Sequence, residues 1–484
     1  MRRAMKILIA LSLAVSVIAP LTNATAQESL APAQKAKFTQ IGHEPLFNRG
    51  MNAGLAVHGD YAYVGFRSDG THPHPGVAVV DISNPAKMSV VHEITDEEGE
   101  GRIGETSREL RVWPEEDLLI VMNLAGNCTP YLHLCSPTSM TMDDNIRFFD
   151  ISGKNAAQPR LVSEYVPSRS PHEMFLWDDP KRKGRALLYI STPGGSNNML
   201  VTDISGARKG KFKEVANWNV IIPDPDADTR LHSMSISPDG KLGYMSYLGG
   251  GFFTTDTSDL ANNKKKPKIE TITPMQNRAH WGNPGIHSAV PVPDSKYVFT
   301  TDEVYGDFFG VLNPVLGEHG CPWGWARVID NGNLKKPKVI ADYRIEQNHQ
   351  KYCDDPTKNQ PDRKNVSSYA AHNPTLTRNL ALVTWHSGGL QAVDLSNPKK
   401  PSQAAEFKPE PLLYVTTEDP VLSSGRDKVV MWSYPVVKDG VIFVVDLRNG
   451  LYALRYDGVH EKEVSSLNFL EGNSNLGDAA RIDR

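Results

Sequence analysis

One motif recurs along this 484-residue chain and constrains its fold more than any other feature: a short apolar run ending in aspartate. It reads GVAVVDISNP at 76–85, NIRFFDISG at 145–153, NMLVTDISG at 198–206, GFFTTDTSD at 251–259, WARVIDNG at 325–332 and GLQAVDLSNP at 389–398. A seventh run, GLYALRY at 450–456, carries Arg455 where the others carry aspartate. Before each run stand two further β-rich segments joined by a tight turn, and after it a fourth. Residues 232–273 show the plan in full, with HSMSIS, the turn PDG, LGYMSY, FFTTD and IETIT in succession. Each segment is short and rich in β-formers, and helical periodicity is absent.

Four-stranded units repeated every 50 to 75 residues or so are too small to bury their own faces and must stack on one another. The expectation is an all-β fold: a seven-bladed β-propeller of four-stranded antiparallel blades. KFTQIGHEP at 37–45 is placed to supply the outer strand of the last blade. The runs at 76–85 and 389–398, with the strands GDYAYV and RNLALV before them, resemble the LVIVD repeat of exported bacterial and archaeal propellers. The resemblance extends over most of residues 50–456. It implies the fold and export, and supplies no catalytic residues.

The amino terminus points the same way. Arg2, Arg3 and Lys6 precede ILIALSLAVSVIA, and ATA at 24–26 offers a cleavage site, so residues 1–26 read as a signal peptide and 27–484 as one mature domain. The apolar run is short for a membrane anchor. Export predicts a periplasmic or secreted protein without a transmembrane segment. Cleavage removes three of the 52 Lys and Arg and none of the 56 Asp and Glu, taking the net charge from −4 to −7 and arguing against a nucleic-acid partner. Four cysteines pair by position as Cys128 with Cys135 and Cys321 with Cys353, which suits an oxidising compartment. They fall in lid insertions expected near 124–144, 304–324 and 342–370.

Aligning the first strand of each unit on its turn places Asn52, Arg108, His172, His232, His287, His372 and Trp432 in one column. In a propeller these positions ring the channel mouth. Four imidazoles from different strands suit a transition metal such as Fe, Cu or Zn, with Glu173, Asp302 or Glu303 orienting the rings. Arg67, Asp302, Glu303 and His386 reach the same rim from the loops between second and third strands. Arg67 and Arg108 are candidates to grip an anionic group, and Asp302, Glu303 and His386 are candidates for acid–base work. The competing reading is a ring of hydrogen-bonded structural histidines inherited by duplication.

Three functions follow from these alternatives. The first is a metal-binding propeller acting on a small organic molecule by oxidative or Lewis-acid chemistry. The second is a non-catalytic scaffold for a protein, glycan or cell-surface partner. The third is a metal-free hydrolase or lyase using the rim histidines. Weaker candidates are His72 and His74 as a metal pair and the DPDAD run at 224–228 as a cation loop. Trp323 and Trp325 read as lid packing or as walls for an apolar ligand.

Overall fold

The computed structural model describes residues 36–125, 144–193, 198–222, 229–281, 285–303, 321–358, 368–419, 422–423 and 425–482. The expected signal peptide, Cys128 with Cys135, the DPDAD run and most of the lid insertions lie outside them. Among the described residues, helices are no longer than a turn or so, and none is long and apolar enough to cross a membrane.

The strands follow the repeated plan as antiparallel quartets. The first comprises Asn52–His58, Tyr61–Phe66, Val77–Asp81 and Ser89–Ile94; the second comprises Thr106–Trp113, Leu118–Leu124, Asn145–Asp150 and Arg160–Tyr165. One bridge, Phe66 to Ser107, joins these two into a single sheet. The third runs Glu173–Asp178, Ala186–Thr192, Asn198–Gly206 and Lys211–Asn219; the fourth runs Ser233–Ile236, Leu242–Ser246, Phe252–Asp256 and Glu270–Thr271. The fifth runs Ser288–Pro291, Tyr297–Thr301, Ala326–Asp330 and Lys338–Tyr343; the sixth runs Pro374–Leu376, Leu380–Thr384, Leu390–Asp394 and Ser402–Phe407. The last is composite. Val436–Lys438, Val441–Asp446 and Gly450–Asp457 take the amino-terminal Lys37–Glu44 as their outer strand.

The recurring aspartate has a local cause. Asp81, Asp150, Asp203, Asp256, Asp330 and Asp394 each accept, through the side chain, the backbone N–H two residues on, closing the turn into the fourth strand. A bulge at the same point of the third strand bends the outer strand in five quartets.

The middle strands are apolar on both faces because both faces are covered. In Leu118–Leu124, Leu119 and Val121 pack on the first quartet, whereas Leu118, Ile120 and Met122 pack on the third. The same alternation continues through the chain. It closes when Val436, Phe443 and Leu451 of the last quartet meet Leu55, Val64 and Val80 of the first. First strands of successive quartets lie side by side, and outer strands such as Lys338–Tyr343 face solvent. Beyond the last quartet, Phe469–Leu470 pairs with Val436–Lys438, and Asn473 and Asn475 bond the backbone of Leu176 and Asp178. The carboxyl-terminal segment thus joins the last quartet to the far end of the first strand of the third.

Ile120→Ala, at a fully buried position between quartets, is expected to lower the unfolding free energy by about 2–5 kcal/mol. Val339→Ala on an outer strand that leaves Val339 40% exposed should change it by no more than about 0.5 kcal/mol. Denaturant unfolding of the two variants checks the contrast.

Candidate metal centre at the histidine cluster

Four quartets deliver a histidine at one backbone position. The amides of His172, His232, His287 and His372 donate to the carbonyls of Ser191, Ser246, Thr301 and Thr384, each at the end of its own second strand, over 2.8–2.9 Å. Equal register on neighbouring inner strands brings the rings together, edge-on or tilted. Centroids are 4.5 Å apart for His172 and His232, 4.0 Å for His232 and His287, and 4.1 Å for His287 and His372. Trp432, in the same column, sits 5.1 Å from His372.

Two carboxylates and a fifth imidazole join them. Glu173 Oε1 lies 3.6 Å from His287 Nε2 and 3.9 Å from His232 Nδ1. Glu303 places Oε2 at 3.4 Å from His287 Nε2 and Oε1 at 2.9 Å from His372 Nε2. His386 Nε2 is 3.4 Å from the same Oε1. Gly324 permits the corner that presents Glu303, since a Cβ there would lie 2.0 Å from the Asp302 carbonyl oxygen. His386 sits at φ +36°, in a turn that the fourth quartet repeats with Leu248 at φ +40°. The turn is structural; its imidazole is peculiar to the sixth quartet.

The surrounding bonds assign the ring protons. His372 Nδ1 faces the Trp432 carbonyl at 2.6 Å and therefore carries a hydrogen. The Ser288 hydroxyl donates to Asn373 Oδ1, so it accepts from His287 Nδ1 at 2.7 Å. The Asn373 amide is held by its own bond to the Trp432 carbonyl. A neutral imidazole has one hydrogen, so in that form the Nε2 atoms of His287 and His372 present bare lone pairs.

These lone pairs meet carboxylate oxygens. His287 Nε2, His372 Nε2 and Glu303 Oε1 are all buried, and none makes a hydrogen bond of acceptable geometry. Acceptors facing one another in a dry site call for a cation. Glu173, His232 and His287, and likewise His287, Glu303 and His372, bring their donor atoms within 4.8 Å of one another.

His172 differs from the other three. Arg108, a donor only, contacts its Nδ1 at 2.8 Å, so the hydrogen sits on Nε2 and points at His232 Nε2, 2.9 Å away. Burial, reinforced by the neighbouring imidazoles, pushes His287 and His232 well below the usual histidine range. His386 is pushed down to about 4, again chiefly by burial. Burial alone would raise Glu303, yet the positive charge that His372 and His287 can carry holds it well below the ordinary carboxylate range, the same sense in which a cation bound between them would act. Glu173 is raised well above that range by burial and by Glu109.

The other expected residues divide. Arg67 and Arg108 reach the cluster's edge, their guanidiniums 5.0 and 5.5 Å from the Trp432 ring centre, with Arg67 also 3.8 Å from Asp419. Asp302 does not share the site with its neighbour Glu303: its carboxylate accepts from Trp281 Nε1 and Arg327, because adjacent residues of extended backbone point opposite ways. His72 bonds Ser68, whereas His74 stacks on Phe47 and pairs with Glu93, so these two histidines have separate partners. Trp323 packs among Tyr352 and Tyr369, and Trp325 is covered by Arg327 and Arg344. Cys321 and Cys353 lie at disulfide distance, with Cα atoms 5.5 Å apart.

Comparison with known proteins adds the repeat. Residues 49–96, which include the whole first quartet, match the LVIVD repeat. No curated protein matches the chain. Among solved structures, Sqt1 of Saccharomyces cerevisiae is 8% identical, covering 88% of this chain and 100% of its own, at a TM-score of 0.47. Sqt1 of Chaetomium thermophilum bound to the N-terminus of ribosomal protein L10 is 13% identical over 85% of this chain and 89% of its own, at 0.45. A protein from Lactobacillus plantarum is 11% identical over 74% and 85%, also at 0.45. Likeness at this level assigns no residue a role.

The depressed value of His386 fixes a pH dependence. The unfolded chain takes up a proton below 6.5 while the folded chain does not until about pH 4. Its stabilising contribution is therefore complete above pH 6.5 and lost as pH falls toward 4, by roughly 3 kcal/mol at most. Unfolding of chelator-treated protein across this window should show the loss, and His386→Asn should make it shallower, with His232 and His287, also depressed, supplying the remainder.

Proposed function

We propose that the chain is an exported, seven-bladed LVIVD propeller that binds one divalent transition-metal ion through His287 Nε2, His372 Nε2 and the Glu303 carboxylate. His386 and Glu173 stand beside these three donors. The observation that carries the reading is the pair of bare imidazole nitrogens facing a carboxylate in a buried site, their tautomers set by Trp432 and Ser288. Packing of each quartet on the next, and of the last on the first, supports the closed seven-membered ring. A disulfide between Cys321 and Cys353 supports an oxidising compartment.

Two imidazoles and one carboxylate form the donor set of non-haem Fe(II) oxygenases and of catalytic Zn sites. Bound there, such an ion would supply oxidative or Lewis-acid chemistry on a small organic molecule. The chain's own residues would then divide the remaining work. Trp432 and Ser288 orient the ligand rings. His386, neutral near physiological pH, stands ready to accept a proton, and Glu173, with its raised value, to donate one. His172, tied through Arg108, is left out of the ligand set and buttresses His232.

Elemental analysis of untagged mature protein is expected to find about one divalent transition metal per chain. His372→Ala and Glu303→Gln should each weaken metal binding by at least about tenfold, whereas His172→Ala should leave the stoichiometry unchanged. Absence of stoichiometric metal, with thermal stability indifferent to chelator, would overturn the reading.

A further inference from the structure

Among the described residues, every buried arginine but one faces a carboxylate or a full set of acceptors. Arg147 is held by Glu105 and Glu164, Arg185 by Asp179, Arg327 by Asp302, Arg448 by Glu418 and Arg111 by Glu109. Arg49, without an ion pair, spends all five N–H groups on four carbonyls and Asn52. Arg108 is only 5% exposed, yet it has no carboxylate within ion-pair distance among the described residues, and its Nε–H is unpartnered. Its protein contacts are the ring and carbonyl of His172 and the face of Trp432.

We propose that Arg108 docks the carboxylate of a small-molecule ligand at the edge of the histidine cluster; the proposal rests on reading that cluster as the working centre. Three features support it. A desolvated guanidinium is stable only when an anion or a full set of acceptors faces it, and among the described residues Arg108 has only the ring nitrogens and carbonyl of His172. A second guanidinium, Arg67, lies over the same tryptophan ring, so positive charge accumulates at this edge, Asp419 being the acidic side chain paired with Arg67. One planar fork of N–H donors also matches a planar two-oxygen anion. Arg108 contacts His172, whose neighbour in sequence is Glu173 and whose ring meets His232, so a carboxylate held there would carry the rest of its molecule alongside the proposed metal ligands.

The test is calorimetric titration of sodium acetate into the mature protein, both metal-loaded and chelator-treated, with inorganic phosphate as the comparison anion. Acetate is expected to bind the wild type and to be preferred over phosphate. Arg108→Gln should raise its dissociation constant at least tenfold and Arg108→Lys by less, with metal content unchanged in both. Equal acetate binding by wild type and Arg108→Gln, or tighter binding of phosphate, would overturn the proposal. If Arg108→Gln fails to fold, Arg108→Lys and the anion order of the wild type decide. Loss of the metal reading would appear separately, as no bound metal in any variant, while dependence of acetate binding on Arg108 stayed measurable.

Discussion

The structure depends on a sheet that cannot stand alone. Each quartet is apolar on both faces, and its middle strands leave no face for water, so each must be sandwiched between two others. A linear stack would expose the first and last faces. Contact between the last quartet and the first removes both ends, and the amino-terminal strand Lys37–Glu44 ties the two termini of the array into one sheet. Stacking also aligns the inner strands in register. That places one residue from each quartet at the same level, which is how chain positions 172, 232, 287 and 372 come within a ring's width of one another.

Convergence of this kind is costly unless something compensates it. Five imidazoles and two carboxylates gathered away from water would ordinarily be satisfied by hydrogen bonds. On one side of the cluster they are, through the chain from Arg108 to His172 to His232. On the other side the bonds run outward, to the Trp432 carbonyl and the Ser288 hydroxyl, and leave the inward nitrogens bare. The same column of aligned residues thus makes two chemically different halves, one closed by an arginine and one open to a cation. Trp432 links them: its carbonyl orients His372 and its ring lies under both Arg67 and Arg108.

Much of this was legible before any coordinates, because repetition averages out local ambiguity. A strand pattern seen once is weak evidence, but the same strand–turn–strand–aspartate order seen along the chain sets the architecture and the register, and with the register the histidine column. Side-chain direction was not legible. Asp302 and Glu303 are adjacent and chemically alike, and only the backbone at that corner sends one toward Arg327 and the other toward His372. Nor did the column distinguish His172 from His287, since the difference lies in Arg108 and Ser288, contributed by a different strand in one case and by the next residue in the other.

The amino-acid sequence by itself determined the all-β repeat, the turn-closing aspartates and which residue types stand at the inner edge, because these follow from periodicity and local hydrogen bonding within a few residues. Only the tertiary structure decided which imidazole nitrogens face a carboxylate and which buried arginine has no carboxylate within ion-pair distance among the described residues. Those properties are set by groups brought together when the quartets pack, and even Ser288, next to His287, takes its hydrogen-bond direction from Asn373.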